Sequence, residues 1–208
     1  MNHQKNFLDV EDFLEWRKQL YNGLNCRRET VIELIDALSS NQQASSVVEL
    51  SLNPLFRRNY NSLYKGIQEF LPPQTDDNYS EKVNHLLAAV SFTIPKPVSR
   101  HFNLLGIDTT PYPRPYSTTL ADKTFIYYPN PIKRNKPISI GHSYSVVCAL
   151  PERTETGNVP WAVPLSGERI SASEKFTTLG NNQLQTIFNS SEFCQEQLSV
   201  LVADSLYS

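Results

Sequence analysis

The spacing of apolar residues changes near residue 95, and this change limits the possible folds more than any other feature of the sequence. Before it, apolar residues recur every three or four positions, as on one face of an α-helix. After it, they form short runs between prolines and glycines, as in β-strands. The longest apolar runs, such as Leu86–Val90, have five residues, too few to cross a membrane. We therefore predict a helical domain over residues 1–95 and an α/β domain over residues 96–208.

Four apolar stripes predict helices in the first domain. Thr30 with Glu33, and Ser46 with Glu49, have the spacing of a capping box at the start of a helix. The stripes are Phe13, Trp16 and Leu20; Val31, Leu34, Ile35 and Leu38; Tyr60, Leu63, Tyr64, Ile67 and Leu71; and Val83, Leu86, Leu87 and Val90.

A short helix at Ser46, a turn at Asn53–Pro54 and a longer helix opening near Arg57 and Arg58 follow one another. This order is that of a helix-turn-helix, whose second helix enters a DNA groove. Ordinary packing of short helices in a bundle gives the same order, so both interpretations stay open. In the first interpretation, Arg57 and Arg58 are candidates for contacts with the DNA backbone.

The second domain has the pattern of a mixed sheet with one helix. Strands are predicted at residues 102–108, 143–150, 161–165 and 198–203, with a hairpin-like turn over 151–160. The first strand is apolar on both faces, as a buried central strand is. A helix is predicted over residues 181–195, with Leu184, Ile187 and Phe188 on one face. The order strand, hairpin pair, helix, strand indicates an α/β layout.

Two carboxylates, Asp108 and Asp204, stand at the carboxyl ends of apolar strands. Open α/β sheets bind ligands beyond the carboxyl ends of their strands, so the two carboxylates converge if the strands are neighbours. Hard oxygens at close quarters bind Mg²⁺ or Mn²⁺, and such a pair begins a two-metal site for phosphodiester chemistry. The alternative is that each Asp makes an Asx-turn that holds a loop.

The formal net charge of −2 does not indicate a strongly basic nucleic-acid binder, so the local distribution of charge matters more. Four basic residues in two proline-rich loops are candidates for phosphate contacts, and each is equally explained as a solvated surface charge. They are Arg114, Lys133, Arg134 and Lys136. Three widely spaced cysteines, together with a start that lacks a secretory signal, favour the cytoplasm.

A serine hydrolase is a weaker alternative. Gly141–Ser145 nearly matches the Gly-x-Ser-x-Gly nucleophile elbow, with Ser143 as the nucleophile, but its last residue is serine. The elbow needs a strand before it and a helix after it, whereas here a strand is predicted to follow.

Taken together, several short motifs in this order resemble the insertion-sequence transposases of the DDE superfamily, in a version that is common in cyanobacteria. The resemblance spans nearly the whole chain. Its motifs are Ser46–Leu52, Pro54–Arg58, Gly106–Pro111, Pro113–Tyr116, Phe125–Asn130, Gly141–Ser145, Pro164–Arg169 and Val202–Ser205.

The resemblance implies an RNase H-like catalytic core, with Asp108 on its first strand and Asp204 at the end of its fourth as catalytic, metal-binding residues. It implies Mg²⁺ or Mn²⁺ as the cofactor, and transposon ends and target DNA as partners. In the implied reaction, water attacks a phosphodiester at the transposon end, and the freed 3′-hydroxyl attacks target DNA. The carboxylates hold the metals that activate the nucleophile and stabilise the leaving oxygen.

One departure from the family concerns a third acidic residue, usually Glu, on a helix well beyond the fourth strand. The candidate glutamates of the second domain all precede Asp204, so none of them matches this third position. They are Glu168, Glu174, Glu192 and Glu196. We therefore expect the N-terminal portion of a transposase, with an incomplete RNase H-like core, poor metal binding and impaired cleavage.

A binding module is the main alternative to an enzyme. In that hypothesis the chain binds DNA, or pairs with a full-length transposase and inhibits it, without catalysis. The expected partners are DNA and either a second copy or a full-length transposase, with no membrane. The expected location is the cytoplasm, in association with the bacterial nucleoid.

Overall fold

A computed structural model describes residues 10–73, 75–117, 119–127, 138–153, 160–190, 197–204 and 207. The chain divides into two compact units, unit 1 (Met1–Ala89) and unit 2 (Val90–Ser208). The predicted domain boundary at residues 95 and 96 lies slightly further along the chain. None of the described helices is long and apolar enough to cross a membrane.

Unit 1 is helical, and each predicted stripe lies on a helix except for Leu71, which comes after the end of the fourth helix. The helices are α1 (Val10–Gly23), α2 (Arg28–Ser39), α3 (Val47–Leu50), α4 (Tyr60–Glu69) and α5 (Tyr79–Phe92), which contains the boundary between the units. One core cluster joins α2, α3 and α4 through apolar side chains that have left water. Its members are Leu34, Ala37, Leu50, Phe56 and Leu63.

The cap predicted for α3 is confirmed, with one change. The Ser46 side chain accepts the N–H of Glu49 at 3.2 Å, as a capping serine does. The Glu49 carboxylate reaches one residue further back than a capping box requires and accepts the N–H of Ser45 at 2.7 Å. The hydroxyl of Ser45 also donates to this carboxylate, and the two hydrogen bonds from Ser45 lower the pKa of Glu49.

The capping box predicted for α2 is wrong. Arg27 precedes the helix in a left-handed conformation, with φ 50°, and makes no side-chain cap. Thr30 and Glu33 lie inside the helix, and both are buried. Glu33 faces a cationic partner instead of the helix start, which explains why its spacing from Thr30 misled the prediction.

Unit 2 is a mixed sheet with a helix, as predicted. Its elements are β1 (Phe102–Pro113), β2 (Thr124–Tyr127), β3 (Ile138–Ala149), β4 (Val163–Ile170), α6 (Phe176–Ser190) and β5 (Leu198–Ala203). β1 pairs antiparallel with β3 on one side and parallel with β5 on the other. β2 and β4 pair with successive parts of β3. The α/β class and the mixed sheet follow directly from this pairing.

β1 differs from the predicted strand in length and in burial. It continues five residues past Asp108 to Pro113, because these residues remain paired with β3 as far as Gly141. Burial alternates along its first half, where Asn103, Leu105 and Ile107 are buried and their neighbours are partly exposed. The strand is therefore central in the sheet without being buried on both faces.

Candidate active site

The parallel register of β1 and β5 brings Asp108 and Asp204 together. The last pair of residues in register is Ile107 with Ala203, and each Asp is the next residue of its strand. Neighbouring strands lie about 4.8 Å apart, and residues in register point to the same face. Since β5 ends where β1 continues, Asp204 follows a strand end while Asp108 lies within a strand.

Both carboxylates are exposed and line one cavity of about 440 Å³. The rest of its wall comes from β2, from the start of β1's second half, from Ser143 of β3, and from the end of β4, the start of α6 and the connection between them. Phe125 and Tyr127 of β2 and Glu174 of that connection are among the lining residues. The two predicted residues thus face a space large enough to admit part of a ligand.

The charges of both carboxylates act on the phenol of Tyr207. Burial raises the pKa of Tyr207, a hydrogen bond with Ser145 opposes the rise, and the negative charges of Asp108 and Asp204 add to it. Two carboxylates that act on one phenol lie close to the same point. This agrees with the register of the strands.

The donor set suits a hard cation. Mg²⁺ is commonly bound through one or two carboxylates, with waters and substrate phosphates filling the other positions. Two exposed aspartates on an open cavity offer that arrangement. Among the described residues, no group of three His, Cys, Asp or Glu side chains is placed to hold a metal ion. Glu174 lines the cavity without completing such a group.

Arg57 and Arg58, predicted to contact DNA, both bind a buried carboxylate within unit 1. Arg57 Nη2 lies 2.9 Å from Glu33 Oε1, and Arg58 Nε lies 3.3 Å from Glu33 Oε2. The backbone N–H of Arg57 also donates to Glu33 at 3.2 Å. The side chain of Glu33 is only 8% exposed, so the ion pairs compensate a charge taken out of water. Both arginines therefore have a structural role, and their contact with DNA stays a prediction.

The other predicted basic residues lie away from the carboxylates or outside the described residues. Arg114 comes just after β1, six positions beyond Asp108, which corresponds to about 20 Å of extended chain. Its guanidinium stacks over the ring of Tyr112, 4.6 Å from the centroid. Lys133, Arg134 and Lys136 lie outside the described residues.

The alternative prediction of a nucleophile elbow at Ser143 is wrong. Gly141–Ser145 lies entirely within β3, so the stretch lacks the sharp turn from strand to helix that exposes a nucleophile. Gly141 has a packing role instead. A Cβ at this position would meet the backbone oxygen of Tyr112, which shows how closely β1 approaches β3 there.

A family model described as DDE superfamily endonuclease matches residues 19–208. This chain belongs to that family. The match covers most of unit 1 and all of unit 2, and the mixed sheet is consistent with an RNase H-like DDE nuclease. Membership indicates a nuclease of the transposase-like kind that acts on DNA and uses divalent metal ions. No curated protein and no solved structure matches the chain.

Proposed function

We propose that unit 2 carries the metal site of an insertion-sequence transposase, with Asp108 and Asp204 as the ligands of Mg²⁺ or Mn²⁺. The observation that supports this most is the register of β1 and β5, which brings the two carboxylates to one cavity. The family match supplies DNA as the substrate class.

Electrostatics explains why a cation belongs in this reaction. The phosphodiester of DNA is negatively charged, and so are the exposed carboxylates that line the cavity. Charges of the same sign repel, so DNA approaches the cavity only when a cation offsets the negative charge of the carboxylates. When bound, a divalent metal supplies Lewis-acid stabilisation to the attacking and leaving oxygens.

The carboxylates have a defined task in the proposed reaction. Asp108 is held within a paired strand, and its Oδ1 accepts the N–H of Thr109 at 2.7 Å, which fixes the orientation of the carboxylate. Asp204 follows the neighbouring strand. The pair holds its ligand at the end of β5, where water attacks a phosphodiester and the released 3′-hydroxyl attacks target DNA.

The test is Mn²⁺ binding by calorimetry on the full chain, after circular dichroism has shown that each variant is folded. We expect wild type to bind, and Asp108→Asn and Asp204→Asn each to weaken binding by at least about thirtyfold, since each removes one of two charged ligands. Asp77→Asn, an exposed substitution in unit 1, is the matched control and leaves binding unchanged. A folded wild type that binds no Mn²⁺ would contradict the proposal.

A non-catalytic role in DNA binding, or in pairing with and inhibiting a transposase, is the second candidate. It is favoured by the lack of a third ligating residue among the described parts of the chain. Nicking of supercoiled plasmid DNA in the presence of Mn²⁺ separates the two. Nicking that Asp108→Asn abolishes supports the enzyme, whereas retention of plasmid in a gel-shift assay without nicking, unchanged in Asp108→Asn, supports the binding role.

A further inference from the structure

A buried chain of hydrogen bonds runs from α6 towards the carboxylates. Gln183 and Ser145, which are 1% and 0% exposed, form its inner part. Gln183 Nε2 donates to the backbone oxygen of Ser145 at 3.1 Å and to Ser166 Oγ at 2.9 Å. Because both amide protons are used, Oε1 is the acceptor, and it takes the hydroxyl proton of Ser145 at 2.6 Å.

This arrangement decides the direction of the next hydrogen bond. Ser145 Oγ and the Tyr207 hydroxyl lie 3.0 Å apart, and either could donate on distance alone. A serine hydroxyl has one proton, and that of Ser145 goes to Gln183. Tyr207 therefore donates to Ser145. The single hydroxyl proton of Tyr207 is used in this hydrogen bond, so the phenol end of the side chain is fixed within unit 2.

The ring of Tyr207 also occupies a space that the sequence leaves open for it. A Cβ at Gly180 would lie 2.8 Å from Tyr207 Cε1 and 2.7 Å from Ile107 Cδ1, closer than carbon atoms pack. Phe176, which lines the carboxylate cavity, meets the ring edge-on with centroids 5.5 Å apart. The ring therefore packs against α6 at Gly180, where the side chain of Ile107, the residue before Asp108, also packs.

The backbone of Tyr207 is tied to Asp204. Its N–H donates to the backbone oxygen of Asp204 at 3.2 Å. β5 itself is poorly covered, since Leu198, Val200, Leu201 and Val202 are all at least 36% exposed. β5 is therefore held by its pairing with β1 more than by a buried face, and the anchored tyrosine adds a fixed contact beside Asp204.

We propose that Tyr207 is a positioning residue of the metal site, holding the Asp204 carboxylate beside that of Asp108 through its hydrogen bond to Ser145. The inference rests on the proposed function. It adds a residue that contacts neither the metal nor DNA but sets the separation of the two ligands. Outer residues that orient ligands in this way contribute to metal affinity.

The test is Tyr207→Phe, which keeps the ring under Gly180 and removes only the hydroxyl. In Mn²⁺ calorimetry we expect Kd to rise about three- to tenfold, the change that one lost hydrogen bond brings, with the number of ions per chain unchanged. A role limited to folding would instead lower the number of binding chains and leave their Kd as in wild type. Tyr116→Phe, at a tyrosine that is 94% exposed in the same unit, is the matched control.

A double-mutant cycle with Ser145→Ala tests whether Tyr207 acts through its hydrogen bond to Ser145. If the hydrogen bond carries the effect, Tyr207→Phe adds no further loss of affinity in the Ser145→Ala background. Independent, multiplying effects, or a Tyr207→Phe chain with the Kd of wild type, would overturn the inference and leave the metal site standing. A folded wild type that binds no Mn²⁺ would overturn both the site and the inference.

Discussion

In the described part of unit 1 arginines hold carboxylates, whereas in unit 2 carboxylates gather around one cavity. Glu33 binds Arg57 and Arg58, and two further ion pairs join Arg17 to Asp36 at 2.6 Å and Arg27 to Glu69 at 2.7 Å. The cavity of unit 2 is lined by Asp108, Glu174 and Asp204.

The difference separates acids that serve the fold from acids that serve a ligand. An arginine that pairs with a partly or fully buried acid offsets the loss of that acid's hydration, in part or in full. Acids that share a cavity repel one another and lower stability until a cation binds. Sites of function are often the places where a fold departs from its most stable arrangement.

Removal of Glu33 is expected to give the largest effect. Glu33→Ala leaves both arginines and the backbone N–H of Arg57 without their acceptor and empties a buried site, so we expect the free energy of unfolding to fall by about 2 kcal/mol. Urea denaturation measures it. Asp108→Ala is the comparison, with a change within about 0.5 kcal/mol because the side chain is exposed. Equal losses in both variants would remove the distinction between the two kinds of acid.

Removal of Arg17 gives a smaller effect that depends on pH. Two hydrogen bonds of 2.7 and 2.6 Å join Arg17 to Asp36, so Arg17→Ala is expected to lose about 1 kcal/mol at pH 7. The bond from Arg17 holds the pKa of Asp36 below 3.8 despite burial. The stabilisation is therefore complete above pH 3.8 and is lost as the pH falls through the lower folded value. The difference between thermal melts of the two chains should stay constant from pH 7 to about pH 4 and shrink as the pH falls further, and a difference that persists unchanged in acid would refute this assignment.

Replacement of Glu168 should change the free energy of unfolding in the opposite direction and by the smallest amount. Burial raises its pKa above 4.5, a hydrogen bond from Ser166 opposes the rise, and the charge of Glu174 adds to it. Its share of the stability is present below pH 4.5 and is lost as the pH rises through the folded value. Glu168→Gln should therefore stabilise at pH 7 by about 0.5 kcal/mol, a figure reduced for partial exposure, and have no effect at pH 4. Destabilisation at pH 7 would show that the charge of Glu168 is used.

Local patterns in the sequence were enough to predict most elements. The periodicity of Phe13, Trp16 and Leu20 predicts α1, and the run that ends at Ala203 predicts β5 with its observed bounds. The sequence did not predict β2, because this strand has only four residues, two of them exposed aromatics, and is held in place by its pairing with β3. α6 begins at Phe176, before the predicted start, and its buried face carries Gln183. A polar residue on a core face breaks the pattern that the prediction used.

The candidate site was predictable in part. The position of Asp108 and Asp204 after apolar runs predicted their convergence, and the register of β1 and β5 agrees with it, although their role as ligands stays a prediction. Partners that are distant in the chain could not be read from spacing. The pairing of Arg57 with Glu33, and the contact of Tyr207 with Ser145, depend on how elements pack.

The order in which β1 and β5 appear along the chain has a consequence for the newly made protein. Among the described strands, β1 comes first along the chain and β5 comes last, yet the two lie side by side. Contacts between distant segments form late, because a long loop must close first. A ribosome therefore releases Asp108 long before its partner exists. The proposed metal centre therefore stays unassembled on the nascent chain until β5 has been synthesised.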